Sequence, residues 1–244
     1  MSSLTVNVNL IAMLRELRRL EEPDPAQAAV LAELNGAEGI AVQVRRDRRF
    51  VRERDLYVLQ AVAKTKLVVE LPPADDLIGR MMEIKPHTVV FAADQPDLEA
   101  QAAPIDFSAP QVDFRDLTER LAAVGVQVAY LVEPEADQIK GASKARANAV
   151  LIDCGGYTRA RRREEAQREL DRIDEAGRLA AKAELTVMLG RGITYRNVAP
   201  LAELGYVDDF VIGQAIAGRG MLVGFGQAVR EMAALVRRQE PTAN

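Results

Sequence analysis

A short apolar segment recurs eight times along the 244-residue chain and limits the folds open to it. Each segment is rich in Val, Ile and Leu and has the length of a β-strand. The segments cover residues 4–8, 39–44, 66–71, 88–93, 127–132, 149–153, 185–190 and 209–213. Their apolar character is largely continuous rather than alternating, which is typical of strands that are covered on both faces in a parallel sheet.

Helical patterns separate these segments. They predict helices over residues 23–36, 55–65, 74–84, 113–125, 135–145, 162–183, 197–205 and 220–239. Alternating strands and helices favour parallel βαβ units, and eight units suit a closed barrel better than an open sheet of five or six strands. We therefore predict an α/β fold, a single (β/α)8 TIM barrel domain over residues 1–244. We expect residues 94–111, with three prolines, to form a loop over the barrel mouth.

The scarcity of histidine and cysteine excludes several kinds of site. His87 and Cys154 are the single histidine and cysteine of the chain. A disulfide within the chain, a cysteine zinc site and a histidine-rich metal site are therefore excluded, and a catalytic triad would have to use His87. We expect His87, at the start of the fourth strand, to cap or pack. We expect Cys154 to be a small packing residue rather than a nucleophile.

The charge and the hydropathy of the chain argue against nucleic acid and membrane as binding partners. The formal net charge is −4, which disfavours a nucleic-acid partner. No apolar run approaches the length needed to span a membrane, and the N-terminal residues lack the pattern of a signal peptide. These observations predict a cytoplasmic protein without membrane association.

Two glycine-containing loops follow the seventh and eighth strands, where barrels of this type often bind phosphate. Gly192 and Gly213 would let backbone N–H groups approach an anion at a helix N-terminus, and Arg191 could add a charged hydrogen bond. The alternative is that these glycines only make tight turns. The sequence thus favours a phosphorylated or anionic ligand at the barrel mouth.

Two charged residues follow the second and third strands. Arg45 lies in a highly charged segment, residues 42–55, which either covers an anionic ligand or forms a solvated surface of ion pairs. Glu70 ends the third strand and could act as a general base at the mouth. The alternative for Glu70 is an ion pair with a neighbouring arginine such as Arg45.

Three motifs together resemble one protein family. They are EPDPAQAA at residues 22–29, GAEGIAVQVRRDRR at 36–49 and GRGITYRNV at 190–198. From about Leu4 to Met232 the chain resembles the pyridoxine 5′-phosphate synthase family. The resemblance implies a homo-oligomeric (β/α)8 barrel, an octamer, that condenses 1-deoxyxylulose 5-phosphate with 3-amino-2-oxopropyl phosphate. It implies no metal and no organic cofactor.

The resemblance also assigns roles to individual positions. It implies that Glu70 is a proton acceptor and that Arg45 contacts the deoxyxylulose phosphate. The remaining positions would contact the amino-ketone phosphate, and they are Asn7, Arg18, Gly192 and Gly213.

Other positions depart from the family pattern. An acid and a histidine on the first strand correspond to Asn9 and Leu10. The strand 2 histidine corresponds to Gln43 and the strand 7 general acid to Arg191. Phe50 and Gln214 each take the place of a family histidine. Leu151 takes the place of a glutamate, and Ala100 that of a threonine. Asparagine and glutamine keep hydrogen-bonding capacity but exchange no proton near pH 7, and arginine stays cationic. We therefore expect Asn9, Gln43, Arg191 and Gln214 to bind the ligand without the acid and base roles of the family.

Three hypotheses follow for the function. The first is a divergent enzyme that binds an anionic small molecule, with Glu70 as base, Arg45 and Arg191 as electrostatic clamps, and altered chemistry. The second is a non-catalytic pseudoenzyme that senses or carries a ligand or binds another protein. The third is a residual pyridoxine 5′-phosphate synthase. Whether the chain catalyses a reaction stays open among them.

Overall fold

Eight parallel strands pair in the order of the sequence and close into a barrel, so the predicted (β/α)8 TIM fold is confirmed. The computed structural model describes residues 1–95, 102–109 and 112–237. The strands are β1 (Ser3–Asn7), β2 (Gly39–Gln43), β3 (Lys66–Leu71), β4 (Thr88–Phe91), β5 (Gln127–Val132), β6 (Ala149–Asp153), β7 (Thr186–Gly190) and β8 (Asp209–Ile212). Each agrees with a predicted segment to within two residues at either end.

The helices are more numerous than predicted. Within the described residues they are α1 (Asn9–Arg18), α2 (Pro25–Leu34), α3 (Glu53–Val62), α4 (Asp75–Ile84), α5 (Phe114–Ala122), α6 (Ala136–Lys144), α7 (Gly155–Arg159), α8 (Arg163–Lys182), α9 (Val198–Ala202), α10 (Gln214–Val223) and α11 (Phe225–Val236). None of these helices is long and apolar enough to cross a membrane.

Three of these helices, α1, α7 and α10, were not predicted. Both α1 and α10 begin two residues after the end of a strand, so no loop pattern marks their start. Two glycines, Gly218 and Gly220, also lower the helix propensity of α10. The helix predicted over residues 220–239 was wrong at its start, because Gly224 separates α10 from α11. Residues 238 and 239 lie outside the described part of the chain.

Side chains alternate between the inside of the barrel and the layer beneath the helices. Inside lie Ala41, Val68, Leu151 and Met188, among others, in a core of their own. Because the side-chain period of a strand is two residues, Glu70 points to the same side as Val68. The last inward residue of each strand therefore faces the open end of the barrel.

The loop predicted over residues 94–111 is partly described. Ala93 and Ala103 form an antiparallel bridge, and the Ile105 N–H donates to the Leu131 carbonyl at 2.9 Å. These contacts bring the loop to the mouth end of β5. Residues 96–101 and 110–111, which include Ala100, lie outside the described residues.

A buried ion pair joins α1 to α3. Arg15 donates from Nη1 and Nη2 to the two carboxylate oxygens of Asp55, at 2.9 and 2.7 Å, and from Nη2 to the Phe50 carbonyl at 2.9 Å. The Asp55 carboxylate raises the pKa of the Arg15 guanidinium. Asp55 ends the charged segment 42–55, for which a solvated surface of ion pairs was one alternative, but its carboxylate is buried. The pair therefore fixes the connection that carries Phe50 to the mouth.

Replacing Arg15 by leucine should lower the free energy of unfolding by about 3–5 kcal/mol, because Asp55 would remain buried without its cationic partner. Urea denaturation at pH 7 measures this change. The matched control is Arg115→Leu, which breaks an exposed pair with Glu119 on α5 and should change stability by less than about 0.5 kcal/mol. Equal losses for the two variants would contradict the role assigned to Arg15.

Candidate functional site

A cavity of about 610 Å³ opens at the carboxyl ends of the strands. Nine of the ten residues predicted for the site line it, namely Asn7, Asn9, Gln43, Arg45, Glu70, Arg191, Gly192, Gly213 and Gln214. The tenth, Arg18, is exposed in the last turn of α1 and is not among the lining residues. The barrel therefore brings most of the predicted positions to one place, and Arg18 stands apart.

An ion pair between Glu70 and Arg191 spans this cavity. Arg191 Nη2 donates to Glu70 Oε1 at 2.6 Å, and the two side chains are only 13% and 6% exposed. Glu70 belongs to β3 whereas Arg191 directly follows β7, so the pair bridges strands that are not neighbours. The ion pair considered as the alternative for Glu70 therefore exists, and its partner is Arg191, whereas Arg45 was the example considered.

Three side-chain amides form a chain of hydrogen bonds beside the ion pair. Asn9 accepts at Oδ1 from the Gln43 backbone N–H at 2.7 Å, and its Nδ2 lies 3.4 Å from Gln43 Oε1. The Asn9 backbone N–H in turn donates to Asn7 Oδ1 at 2.9 Å. These groups can orient a polar ligand, but amides do not exchange protons near neutral pH.

Arg45 is buried in the wall of the cavity and holds two loops together. Its Nη2 donates to the Gln95 carbonyl at 2.7 Å, and its Nε lies 3.3 Å from Asp47 Oδ2. A stronger partner of Asp47 is Arg49 at 2.6 Å, and that hydrogen bond, aided by Arg45, lowers the pKa of Asp47 to about 2. The charged segment is thus an ion-paired loop whose first arginine also faces the cavity.

Gly192 and Gly213 sit where side chains would not fit. A Cβ on Gly213 would lie 2.7 Å from the Asn7 carbonyl oxygen, and one on Gly192, which has φ of +67°, would collide with the Thr158 hydroxyl. Helix α10 starts directly after Gly213, and no side chain caps its first N–H groups. Uncapped N–H groups at a helix N-terminus favour an anion. The mouth ends of β7 and β8 therefore have the features of an anion site.

Apolar side chains form another part of the wall, namely Leu10, Met13, Phe50, Leu151, Ile193 and Val211. Sequence reasoning gave no site role to Met13, Ile193 or Thr194. The spacing of Leu10, Met13, Leu14 and Leu17 is the period of an amphipathic helix and could have revealed α1, which carries Met13.

His87 and Cys154 lie outside this cavity. His87 precedes β4 at the opposite end of the barrel, and its Nδ1 lies 2.8 Å from Thr88 Oγ1. Cys154 is fully buried, and burial raises the pKa of its thiol far above the ordinary value. The packing role predicted for Cys154 is therefore confirmed. Among the described residues no group of three or more His, Cys, Asp or Glu side chains could hold a metal ion.

The fold and the cavity define a (β/α)8 barrel whose site lies at the carboxyl ends of its strands. Solved structures share this fold at low identity. Thiamine phosphate pyrophosphorylase from Pyrococcus furiosus matches with a TM-score of 0.62 and 15% identity, over 96% of this chain and 95% of that one. Phosphoribosyl anthranilate isomerase from Thermus thermophilus matches with a TM-score of 0.60 and 13% identity, over 96% and 98% of the two chains.

Sequence relatives identify the family. Residues 4–238 match the family described as pyridoxal phosphate biosynthesis protein PdxJ. Pyridoxine 5′-phosphate synthase of Geobacter sulfurreducens is 35% identical over 97% of this chain and 99% of its own length. The synthase of Trichlorobacter lovleyi is 37% identical over 98% and 100% of the two chains. This chain belongs to the PdxJ family of pyridoxal phosphate biosynthesis proteins.

The Glu70–Arg191 pair should show strong energetic coupling. Arg191→Met leaves a buried carboxylate without its partner and should lower the free energy of unfolding by about 3–5 kcal/mol. Adding Glu70→Gln to that variant should restore part of the loss, because the unpaired charge is removed. Chemical denaturation of the two single variants and the double variant measures the coupling. Additive losses would contradict it, and Arg178→Met, which breaks an exposed pair with Asp174, is the control.

Proposed function

We propose that this chain binds a phosphorylated or otherwise anionic small molecule in the mouth cavity and acts on it with Glu70 as general base. One observation carries the proposal. The Glu70 carboxylate lines the cavity, Arg191 holds its Oε1, and Oε2 has no hydrogen-bond partner among the described residues. A positioned carboxylate with one open oxygen can accept a proton from a bound ligand.

The anionic part of the ligand is assigned to the ends of β7 and β8. Support comes from the glycines at positions 192 and 213, the uncapped start of α10 and the guanidinium of Arg191. The printed name of the relatives, pyridoxine 5′-phosphate synthase, also names a phosphorylated product. A phosphate there would accept hydrogen bonds from backbone N–H groups and from arginine.

In the proposed mechanism the reacting part of the ligand faces Glu70. Oε2 takes a proton from the ligand, and the negative charge left behind lies near the fixed cation of Arg191. Arg191 does not give up its own proton, so it acts by charge and position. Asn9 and Gln43 would orient the polar groups of the ligand. This set suits enolisation, imine chemistry or a condensation different from that of the family.

A non-catalytic ligand carrier is the second candidate, and a specific observation favours it. Among the described residues that line the cavity, Glu70 is the one carboxylate, and histidine, cysteine and lysine are absent. Its Oε1 is already bound to Arg191. With so few groups able to transfer protons, binding without turnover would need no further feature of the site.

The proposal also includes self-association in the cytoplasm. Large apolar side chains are strongly exposed on α1 and just beyond it, at Leu17 and Leu20, and at the end of α10, at Met221 and Leu222. Such side chains are frequent at interfaces between subunits. A homo-oligomer, as the octamer implied by the family resemblance, would cover them.

Glu70→Gln separates the two candidates. Phosphorylated metabolites that raise the melting temperature of the protein are first identified and then assayed for conversion. If the chain is an enzyme, Glu70→Gln should keep the Kd for that ligand within about threefold and lower turnover about 10²–10⁴-fold. The control is Glu83→Gln on the exposed side of α4. Absence of turnover for every stabilising ligand would reject the enzyme and favour the carrier.

We further expect poor pyridoxine 5′-phosphate synthase activity. Each missing acid or base is worth about 10²–10⁴ in rate, so condensation of the two family substrates should be at least 10²-fold slower than in the Geobacter sulfurreducens relative. Product formation by both proteins under identical conditions measures the difference. A rate equal to that of the relative would establish a working synthase and contradict the altered chemistry.

A further inference from the structure

The Asn197 side chain forms a clasp on the loop that follows β7, through two hydrogen bonds to the loop backbone. Its Oδ1 accepts from the Thr194 backbone N–H at 2.6 Å, and its Nδ2 donates to the Gly192 carbonyl at 3.2 Å. Together with the backbone hydrogen bond from the Asn197 N–H to the Thr194 carbonyl at 3.2 Å, this amide holds the turn from Gly192 to Asn197. Both Gly192 and Thr194 line the cavity, whereas Asn197 does not.

Helix α7 supports this loop from behind. The Tyr157 hydroxyl donates to the Asn197 carbonyl at 3.0 Å, and Thr158 Oγ1 lies 3.5 Å from the Arg191 carbonyl oxygen. The Thr158 side chain also occupies the space where a Cβ on Gly192 would stand. Helix α7 therefore contacts both ends of the loop that Asn197 holds, at Arg191 and at Asn197 itself.

The clasped loop has an unusual backbone. Arg191 has φ of +74° and Gly192 has φ of +67°. A positive φ is uncommon for a residue with a side chain, and it persists where the surroundings over-determine the backbone. This conformation lets the Arg191 side chain cross the mouth toward Glu70 while the adjacent glycine faces the cavity.

We propose that Asn197 is a positioning residue for the site, acting through the loop of residues 190–194. By holding Gly192 and Thr194 together it fixes the direction of the Arg191 side chain and of the backbone N–H groups at the mouth of β7. The consequence for ligand affinity rests on the proposed function, since it requires that an anion bind at this loop. The consequence for the order of the loop is independent of the proposed function.

Asn197→Ala removes both hydrogen bonds of the clasp. The matched control is Asn148→Ala, which removes an asparagine hydrogen bond to a backbone N–H, that of Val128, at the opposite end of the barrel. Tyr157→Phe removes only the hydroxyl behind the clasp. Two measurements are made on the full chain, namely hydrogen exchange of residues 190–197 and the Kd for inorganic phosphate.

Asn197→Ala should speed exchange at residues 192–194 at least tenfold and raise the Kd for phosphate about three- to tenfold, as the loss of one or two hydrogen bonds would. Asn148→Ala should lower the melting temperature about as much as Asn197→Ala does. It should change neither the exchange at residues 192–194 nor the Kd for phosphate. If Asn197→Ala does not fold, Tyr157→Phe is the test variant. It should speed exchange at residues 192–194 and raise the Kd for phosphate, each by about two- to threefold.

Unchanged exchange at residues 192–194 in a folded Asn197→Ala protein would overturn the positioning role. Faster exchange with an unchanged phosphate Kd would overturn the link between loop order and binding. If the unaltered protein binds no phosphate, the anion part of the proposed function fails, and the exchange measurement still decides whether Asn197 positions the loop.

Discussion

Hydrogen bonding between the first and last strands is the interaction on which the rest of the structure depends. The pairing of β1 with β8, from Ser3 with Asp209 to Val6 with Ile212, closes the sheet. Closure places all eight carboxyl ends in one ring, so residues that are remote in sequence become neighbours. The contact of Gly213 with the Asn7 carbonyl follows directly from it, since a side chain at position 213 would obstruct the closing pair.

The ring of strand ends also determines the electrostatics of the mouth. Closure sets β3 and β7 on different sides of one narrow opening, and the arginine side chain is long enough to join them. Once both groups are withdrawn from water, their attraction is stronger than at a surface, and loss of either one leaves a charge that is costly to keep buried. The pair is therefore a structural contact as well as part of the cavity wall.

The sequence predicted the strands, and it predicted that most of the candidate residues lie at the barrel mouth, because both depend on local patterns. Val-, Ile- and Leu-rich runs mark the strands, and the residues that end them must face the mouth once the barrel is closed. The helices α1 and α10 were missed because each begins two residues after the end of a strand, so no loop pattern separates strand from helix in the sequence. The burial of Asp55 was missed because its partner, Arg15, lies on the unpredicted α1.

Pairing across the barrel lay beyond prediction for a different reason. Glu70 and Arg191 are 121 positions apart, and their contact depends on the side-chain direction set by a positive φ at Arg191. Sequence spacing contains no information on that angle. The contacts of Asn197 were equally hidden. Its side chain bonds to the backbone of Gly192 and Thr194, and the spacing of the motif does not reveal such contacts.

The ion pair also limits the chemistry open to Glu70 as the proposed general base. A histidine in the place of Arg191 could give and take protons near neutral pH, whereas a guanidinium supplies charge and direction only. A carboxylate that is held at one oxygen by such a cation keeps a fixed orientation, and its other oxygen must do any proton transfer. Under the proposed function, these groups therefore suit removal of a proton beside a stabilised negative charge better than a sequence of acid and base steps, which needs a second titrating group.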